Sequence, residues 1–239
     1  MNIAIIGYGK MGKTIERLAK NRGHKISLCY DKTPHPYLLK NLDVAIEFSQ
    51  PSCAFNNVKI CIENKIPVVC GTTGWLDKIN IIRNFCIEKN GSFLYSSNFS
   101  IGVNIFLAIN NKLSKLLSPY SKEYHVDIKE IHHKDKLDKP SGTAVSLAKE
   151  IINNNVKKKW ILNENKSDKK NKENLLIIHS KRINNVIGKH SVTYKSNMEK
   201  ILLQHEAYDR DIFAIGSIIA AEWILNKKGF YSMQDVLDI

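Results

Sequence analysis

Two short stretches of this chain concentrate residues that bind anions and move protons. The first is Gly7-Tyr8-Gly9-Lys10-Met11-Gly12, which follows the apolar run Asn2–Ile6 and precedes a helically spaced segment. Between a strand and a helix, a G-x-G-x-x-G spacing makes a cradle for a dinucleotide. Gly7 permits the tight turn, Gly9 lets the backbone approach a pyrophosphate, and Gly12 lets the helix pack on the strand. The helix start offers free N–H groups to the anion. Asp31 closes the next apolar run, where a carboxylate bonds a ribose diol and favours NAD. Lys32 beside it can instead pair with a 2′-phosphate. Lys10 is either a phosphate partner or a solvated charge. Gly71-Thr72-Thr73-Gly74 and Ser96-Ser97-Asn98-Phe99 end later strands. They should reach the same crevice and offer backbone groups and threonine hydroxyls to a nicotinamide.

The second stretch runs from Glu130 to Ala144 and is dense in titratable groups. His and Lys are the usual residues for proton transfer near neutral pH. In an extended chain His132 and Lys136 would lie about 13 Å apart. One small substrate could not touch both, so the chain must bend after the strand, as the polar run toward Pro140 permits. Ser141 reads as a helix N-cap. Gly142 and Thr143 then occupy a first turn whose N–H groups can hold a carboxylate. His132, His133, Lys136 and Ser141–Thr143 together suit a small acid. The same composition also suits a solvated loop before an ordinary capped helix.

The elements that must position these residues follow from periodicity. Apolar runs at 2–6, 25–30, 43–48, 66–70 and 92–96 read as strands. Helical spacing covers 13–21, 51–64 and about 76–89. That alternation predicts a parallel sheet with helices on both faces. After about Gly102 the pattern changes. Helices are expected over 103–116 and 141–153, and strands over 123–131, 175–182, 190–195 and 199–206, giving a mostly antiparallel sheet. From Asp211 the chain returns to helix, and FAIGSIIAAEWILNK is apolar nearly all round, so it should be buried.

Composition bounds the function classes. The net charge is +13, but Lys outnumbers Arg 31 to 5 and there are 24 Asn. That bias resembles codon drift toward AT. A nucleic-acid binder would use more Arg with interleaved aromatics, so no nucleic-acid partner is expected. Lys157 to Lys172 reads as a solvated loop or hairpin tip. No run approaches the roughly 20 apolar residues of a membrane helix, and the N-terminal segment lacks the basic region of a signal peptide. Cys29, Cys53, Cys61, Cys70 and Cys86 form no C-x-x-C pair. They read as reduced core residues of a cytoplasmic protein, with no metal site expected.

The run Glu130–Ala144 matches E-x-H-H-x-x-K-x-D-x-P-S-G-T-A at every fixed position. With Gly71–Gly74, Asn98–Asn104, Gly188-Lys189-His190, His205-Glu206-Ala207, Arg210, Phe213, Ala214, Gly216 and Gly229–Leu237, the whole chain resembles the 4-hydroxy-tetrahydrodipicolinate (dihydrodipicolinate) reductase family. The resemblance implies a Rossmann-like dinucleotide-binding domain over 1–103 and 211–239. It implies a smaller α+β domain for substrate binding and oligomerisation over 104–210, and a homotetramer. It also implies NADH- or NADPH-dependent reduction of a small cyclic dicarboxylate in lysine and diaminopimelate synthesis. By position, His132 resembles the family's proton donor/acceptor and Lys136 its proton donor. His133, Gly142 and Thr143 resemble substrate contacts. Asp31, Gly71–Thr73 and Ser96–Phe99 resemble cofactor contacts. Many members have a first glycine loop one residue longer. Without the Glu130–Ala144 run, the cradle would equally suit another dehydrogenase of a small amino or keto acid.

Overall fold

A computed structural model describes residues 1–163 and 174–239. In chain order the elements are β1 (Asn2–Ile6), α1 (Lys10–Asn21), β2 (Lys25–Tyr30), β3 (Val44–Glu47), α2 (Pro51–Glu63), β4 (Val68–Cys70), α3 (Ile79–Glu88) and β5 (Ser92–Tyr95). Then come α4 (Ile101–Leu117), β6 (His125–His132), α5 (Gly142–Asn153), β7 (Lys159–Leu162), β8 (Leu175–Arg182), β9 (Gly188–Lys195) and β10 (Lys200–Ala207). The chain closes with α6 (Asp211–Trp223), β11 (Gly229–Tyr231) and α7 (Met233–Leu237). Two compact units result, Met1–Ile101 with Asp211–Ile239, and Gly102–Arg210.

The first unit is a six-stranded sheet in the order β11-β5-β4-β3-β1-β2, parallel throughout. Side-chain alternation along β1 sorts its residues into two cores. Ile3 and Ile5 pack with α1, α6 and α7, whereas Ala4 and Ile6 pack with α2 and α3. Both faces are covered, which is why these strands read as continuous apolar runs. The α6 helix buries Ala214, Gly216, Ser217, Ile218, Ala220 and Ala221. Gly216 has no room for a side chain, since a Cβ there would lie 1.7 Å from the Phe99 carbonyl oxygen.

The second unit is a five-stranded sheet, β10-β9-β6-β8-β7. β6, β9 and β10 run antiparallel, while β8 and β7 are added in parallel. The sheet is therefore mixed, with the longer ladders antiparallel. One face carries a core of Val126, Ile128, Val192 and Tyr194 under Phe106, Leu147 and Ile151 of the two helices.

Two expectations are corrected. The lysine-rich run is not all solvated loop: Lys157 is 5% exposed, and Lys159–Leu162 pairs with β8 because Trp160 and Leu162 add to the core. The rest of that run, 164–172, lies outside the described residues. The tail is not all helix either. Gly229–Tyr231 forms a three-residue strand against β5, too short to show a period. The asparagine bias meets a structural use: among the described non-glycine residues with left-handed backbone, five of seven are Asn (41, 90, 155, 185 and 226), the residue that tolerates this conformation best after glycine.

Gly216→Ala should destabilise the protein by about 1–3 kcal/mol or more through overpacking. Gly142→Ala, whose Cβ would meet nothing within 4 Å, should change stability by less than about 0.5 kcal/mol. Urea titration of the two variants checks the contrast.

Candidate active site

In the first unit, the residues expected to bind a dinucleotide lie at the carboxyl ends of the strands, the edge where open parallel sheets hold ligands. Gly7 has φ +94°, and a Cβ on it would sit 2.1 Å from the Phe48 carbonyl oxygen. Gly12 abuts the Gly7 carbonyl, where a Cβ would come within 2.3 Å. Gly9 is different: nothing lies within 4 Å of its missing Cβ. It precedes α1 without a side-chain cap, so the first-turn N–H groups keep their hydrogen-bonding capacity. The three glycines thus divide into two that allow close packing and one that leaves the backbone approachable, which fits a diphosphate. Asp31 is exposed, and one carboxylate oxygen accepts the Tyr8 N–H. The Tyr8 hydroxyl donates to Glu16, and this hydrogen bond pushes the phenol up to about 12.

The other predicted contacts are less uniform. Lys10 and Lys32 are exposed, whereas Met11 packs against the core. Gly71 lies against the Phe48 ring, which a Cβ would approach to 2.2 Å. The Thr72 hydroxyl does not point outward as expected. It donates to Glu47 Oε2 at 2.7 Å and accepts the Ser49 N–H at 2.8 Å. Thr73 stays exposed. The Ser96 hydroxyl donates to the Asn98 carbonyl at 2.7 Å, Ser97 is exposed, and Phe99 is 2% exposed, within the core. Sequence reasoning missed Glu47, whose buried carboxylate also accepts from Asn57 Nδ2 at 3.2 Å and Cys70 Sγ at 3.0 Å. The signal was an acid inside an otherwise apolar strand.

In the second unit, β6 alternates so that Val126, Ile128, Glu130 and His132 face its core. The last two such positions hold titratable groups instead of hydrophobes. Glu130 has no exposed surface. Its Oε2 accepts the Ser141 N–H at 3.0 Å; its Oε1 accepts the Ser180 hydroxyl at 2.5 Å and Arg182 Nη1 at 3.4 Å. Burial alone would raise this carboxyl, but the donors from Ser141 and Ser180 outweigh burial and hold it below its usual value. His132, 5% exposed, places Nδ1 3.6 Å from Glu130 Oε2. Burial, helped by Lys136 and Arg182 and opposed by Glu130, lowers the imidazole to about 4. Its ring meets His190 edge-on at 4.9 Å. Burial takes His190 to about 3, and its Nε2 lies 3.0 Å from the Ser141 hydroxyl.

The chain bends after β6 as the spacing required. The Lys136 N–H donates to the His133 carbonyl at 3.3 Å, and Lys136 Nζ donates to Asp138 Oδ1 at 2.6 Å. Arg182 clamps this bend, donating to the Lys136 carbonyl at 3.3 Å and the Asp138 carbonyl at 2.6 Å. Ser141 caps α5 by accepting the Ala144 N–H. Gly142 is exposed and open, and Thr143 is half-buried beside it. The two adjacent histidines part company. His132 turns into the core, whereas His133 Nε2 accepts from Arg210 Nη2 at 2.9 Å. Arg182 and His190 were not assigned roles from sequence, because they reach the run only through strand pairing.

The comparisons with known proteins agree across the chain. Residues 1–99 match the family description "Dihydrodipicolinate reductase, N-terminus" and residues 102–237 match "Dihydrodipicolinate reductase, C-terminus". The chain is 47% identical to the 4-hydroxy-tetrahydrodipicolinate reductase of Christiangramia forsetii over 240 residues, covering 99% of this chain and 98% of the relative. It is 35% identical to that of Pelagibacter ubique, covering 100% and 98%. Among solved structures, the dipicolinate-bound dihydrodipicolinate reductase from Paenisporosarcina sp. TG-14 shares the fold, with TM-score 0.78, 22% identity and 97% of each chain covered. By these matches and its own signature run, the chain belongs to the dihydrodipicolinate reductase family.

Proposed function

We propose that this chain reduces 4-hydroxy-tetrahydrodipicolinate, with loss of water, to tetrahydrodipicolinate using NADH or NADPH. The observation that carries the reading is the Ser141 N–H bond to the buried Glu130 carboxylate at 3.0 Å. It fixes an anion-binding helix start to the end of the strand that bears His132. The cofactor supplies a hydride when bound. Gly7, Gly9 and Gly12 would cradle its diphosphate, Asp31 its ribose, and the Gly71–Thr73 and Ser96–Asn98 backbones its nicotinamide.

On the substrate side, the N–H groups of Gly142 and Thr143 and the Thr143 hydroxyl hold one carboxylate. His133 and Arg210 offer donors for the acid from outside the core. Hydride addition places negative charge on the ring, and a nearby ammonium lowers that barrier. Lys136 fits this role: its Nζ is aimed by Asp138, and its side chain keeps 23% exposure. His132 is neutral at pH 7 because its imidazole sits at about 4. Its part is therefore that of a neutral N–H donor and acceptor beside Lys136, and the positive charge belongs to the lysine. Unit 2 also serves assembly into a homotetramer in this reading. The sheet face bearing Asp127, Lys129, Ile131, Ser191 and Thr193 surrounds a depression of about 520 Å³ and offers a surface for it.

Three outcomes follow. With the condensation product of pyruvate and aspartate-semialdehyde, NADH should serve at least as well as NADPH. Asp31→Ser should move the kcat/KM ratio toward NADPH, and an unchanged ratio removes Asp31 from ribose binding. His132→Ala and Lys136→Ala should each lose about 10²–10⁴-fold, chiefly in kcat, while His133→Ala should act mainly on KM. Near-normal turnover by Lys136→Ala sinks the proton-donor assignment. Pyridine-2,6-dicarboxylate should inhibit competitively and far better than the mono-carboxylate, with Thr143→Val weakening both inhibitor and substrate. Equal inhibition by the two acids would show that no dianion site exists.

A further inference from the structure

Glu130 opens the signature run, yet beyond its bond to the Ser141 N–H it has been given no role in the reaction. Its surroundings give it one. Each of its oxygens is engaged by a different part of the site. Oε2 takes the Ser141 N–H, and the Ser141 hydroxyl in turn meets His190 Nε2. Oε1 takes Ser180 and Arg182, and Arg182 holds the Lys136 and Asp138 carbonyls. The same carboxylate lies 3.6 Å from His132 Nδ1. That nitrogen is buried and makes no hydrogen bond at this distance. Such contacts commonly tighten when substrate binds.

We propose that Glu130 is the positioning residue of this reaction, an inference that rests on the reading given under Proposed function. Its carboxylate holds the neutral His132 in the tautomer with the proton on Nδ1, leaving Nε2 as the atom that exchanges protons. Through Ser141 it fixes the carboxylate-binding helix start, and through Arg182 the loop that carries Lys136. Room around His132 Nε2 comes from Gly188, where a Cβ would lie 3.3 Å from that nitrogen. The N-cap also reaches His190: the Ser141 oxygen accepts the Ala144 N–H and lies 3.0 Å from His190 Nε2.

Glu130, His132 and His190 also bring ligand atoms within 4.8 Å of one another, a spacing that can hold a metal ion. The carboxylate, however, is already occupied by the Ser180 hydroxyl, the Ser141 backbone N–H and the Arg182 guanidinium. A cation placed there would displace these donors and face the arginine's charge, so the cluster is read as an orienting network.

A double-mutant cycle tests the proposal. Glu130→Gln keeps the shape and removes the charge. In the parent it should lower kcat about 10–100-fold, with a weaker Kd for pyridine-2,6-dicarboxylate. In a His132→Ala background the same change should cost at least about threefold less in kcat than in the parent, because residues acting as a unit are not additive, and the remaining loss travels through Ser141 and Arg182. Additive losses, or a Glu130→Gln kcat within about twofold of the parent, overturn the proposal. Fluorescence titration with NADH should give an unchanged Kd in every variant, which separates positioning from general unfolding. Nitrogen-15 NMR of the histidines in the parent needs no variant to fold. His132 protonated on Nδ1 supports the proposal, and a proton on Nε2 overturns it. A parent that binds NADH but does not turn over the substrate defeats the reading under Proposed function, while the tautomer still decides the role of Glu130.

Discussion

A carboxylate with no exposed surface must be compensated from within the protein or take up a proton, since an unpaired buried charge is expensive. Glu130 is compensated by three donors from two separate segments: Ser141 at the start of α5, and Ser180 and Arg182 on β8. Satisfying it therefore fixes where those segments sit. β8 must pair with β6 in the register that sets His132 opposite Arg182, and the loop from His133 to Pro140 must return so that Ser141 reaches the carboxylate. The site's geometry is thus a by-product of neutralising one charge. The histidines show the converse: buried beside it without full partners, His132 and His190 remain neutral.

The first unit uses the same device. Glu47 ends β3 without exposure and gathers Ser49, Asn57, Cys70 and Thr72. The donors come from β3's own exit, α2, β4 and the glycine turn beyond it. Here the carboxylate braces a loop expected to meet the cofactor, while the threonine hydroxyl that seemed available for a ligand is spent on the brace. Backbone groups and Thr73 are what the turn has left to offer.

How much of this was legible in the sequence depended on whether the signal was local. The glycine cradle was, because each glycine answers to a steric demand within a few residues. The Ser141 cap was, because capping acts over three residues. β1 to β5 were legible from their doubly buried runs. What escaped was set by pairing at a distance. Arg182 stands about fifty positions from Glu130 and meets it only through the parallel β6–β8 ladder. β7 was hidden because lysines precede its apolar residues, and β11 because three residues show no period. Glu130 itself left a trace: it occupies the inward phase of HVDIKEIH, after Val126 and Ile128. Period two marks that position as buried, but not which partners will neutralise it.

The insertion of the second unit within the first has a consequence for synthesis. One face of the six-stranded sheet, with Ile3, Ile5, Val44, Ile46, Val69 and Leu94, is closed by Ala214, Ile218 and Ala221 of α6. On the ribosome, those strands emerge well before the helix that covers them, separated by the whole of Gly102–Arg210. The second unit has a core of its own and can fold during that interval. The first cannot complete its core until α6 has emerged. Its nascent sheet face therefore stays uncovered while the second unit is made, and Gly216 is the residue that lets α6 settle onto the Phe99 backbone when it arrives.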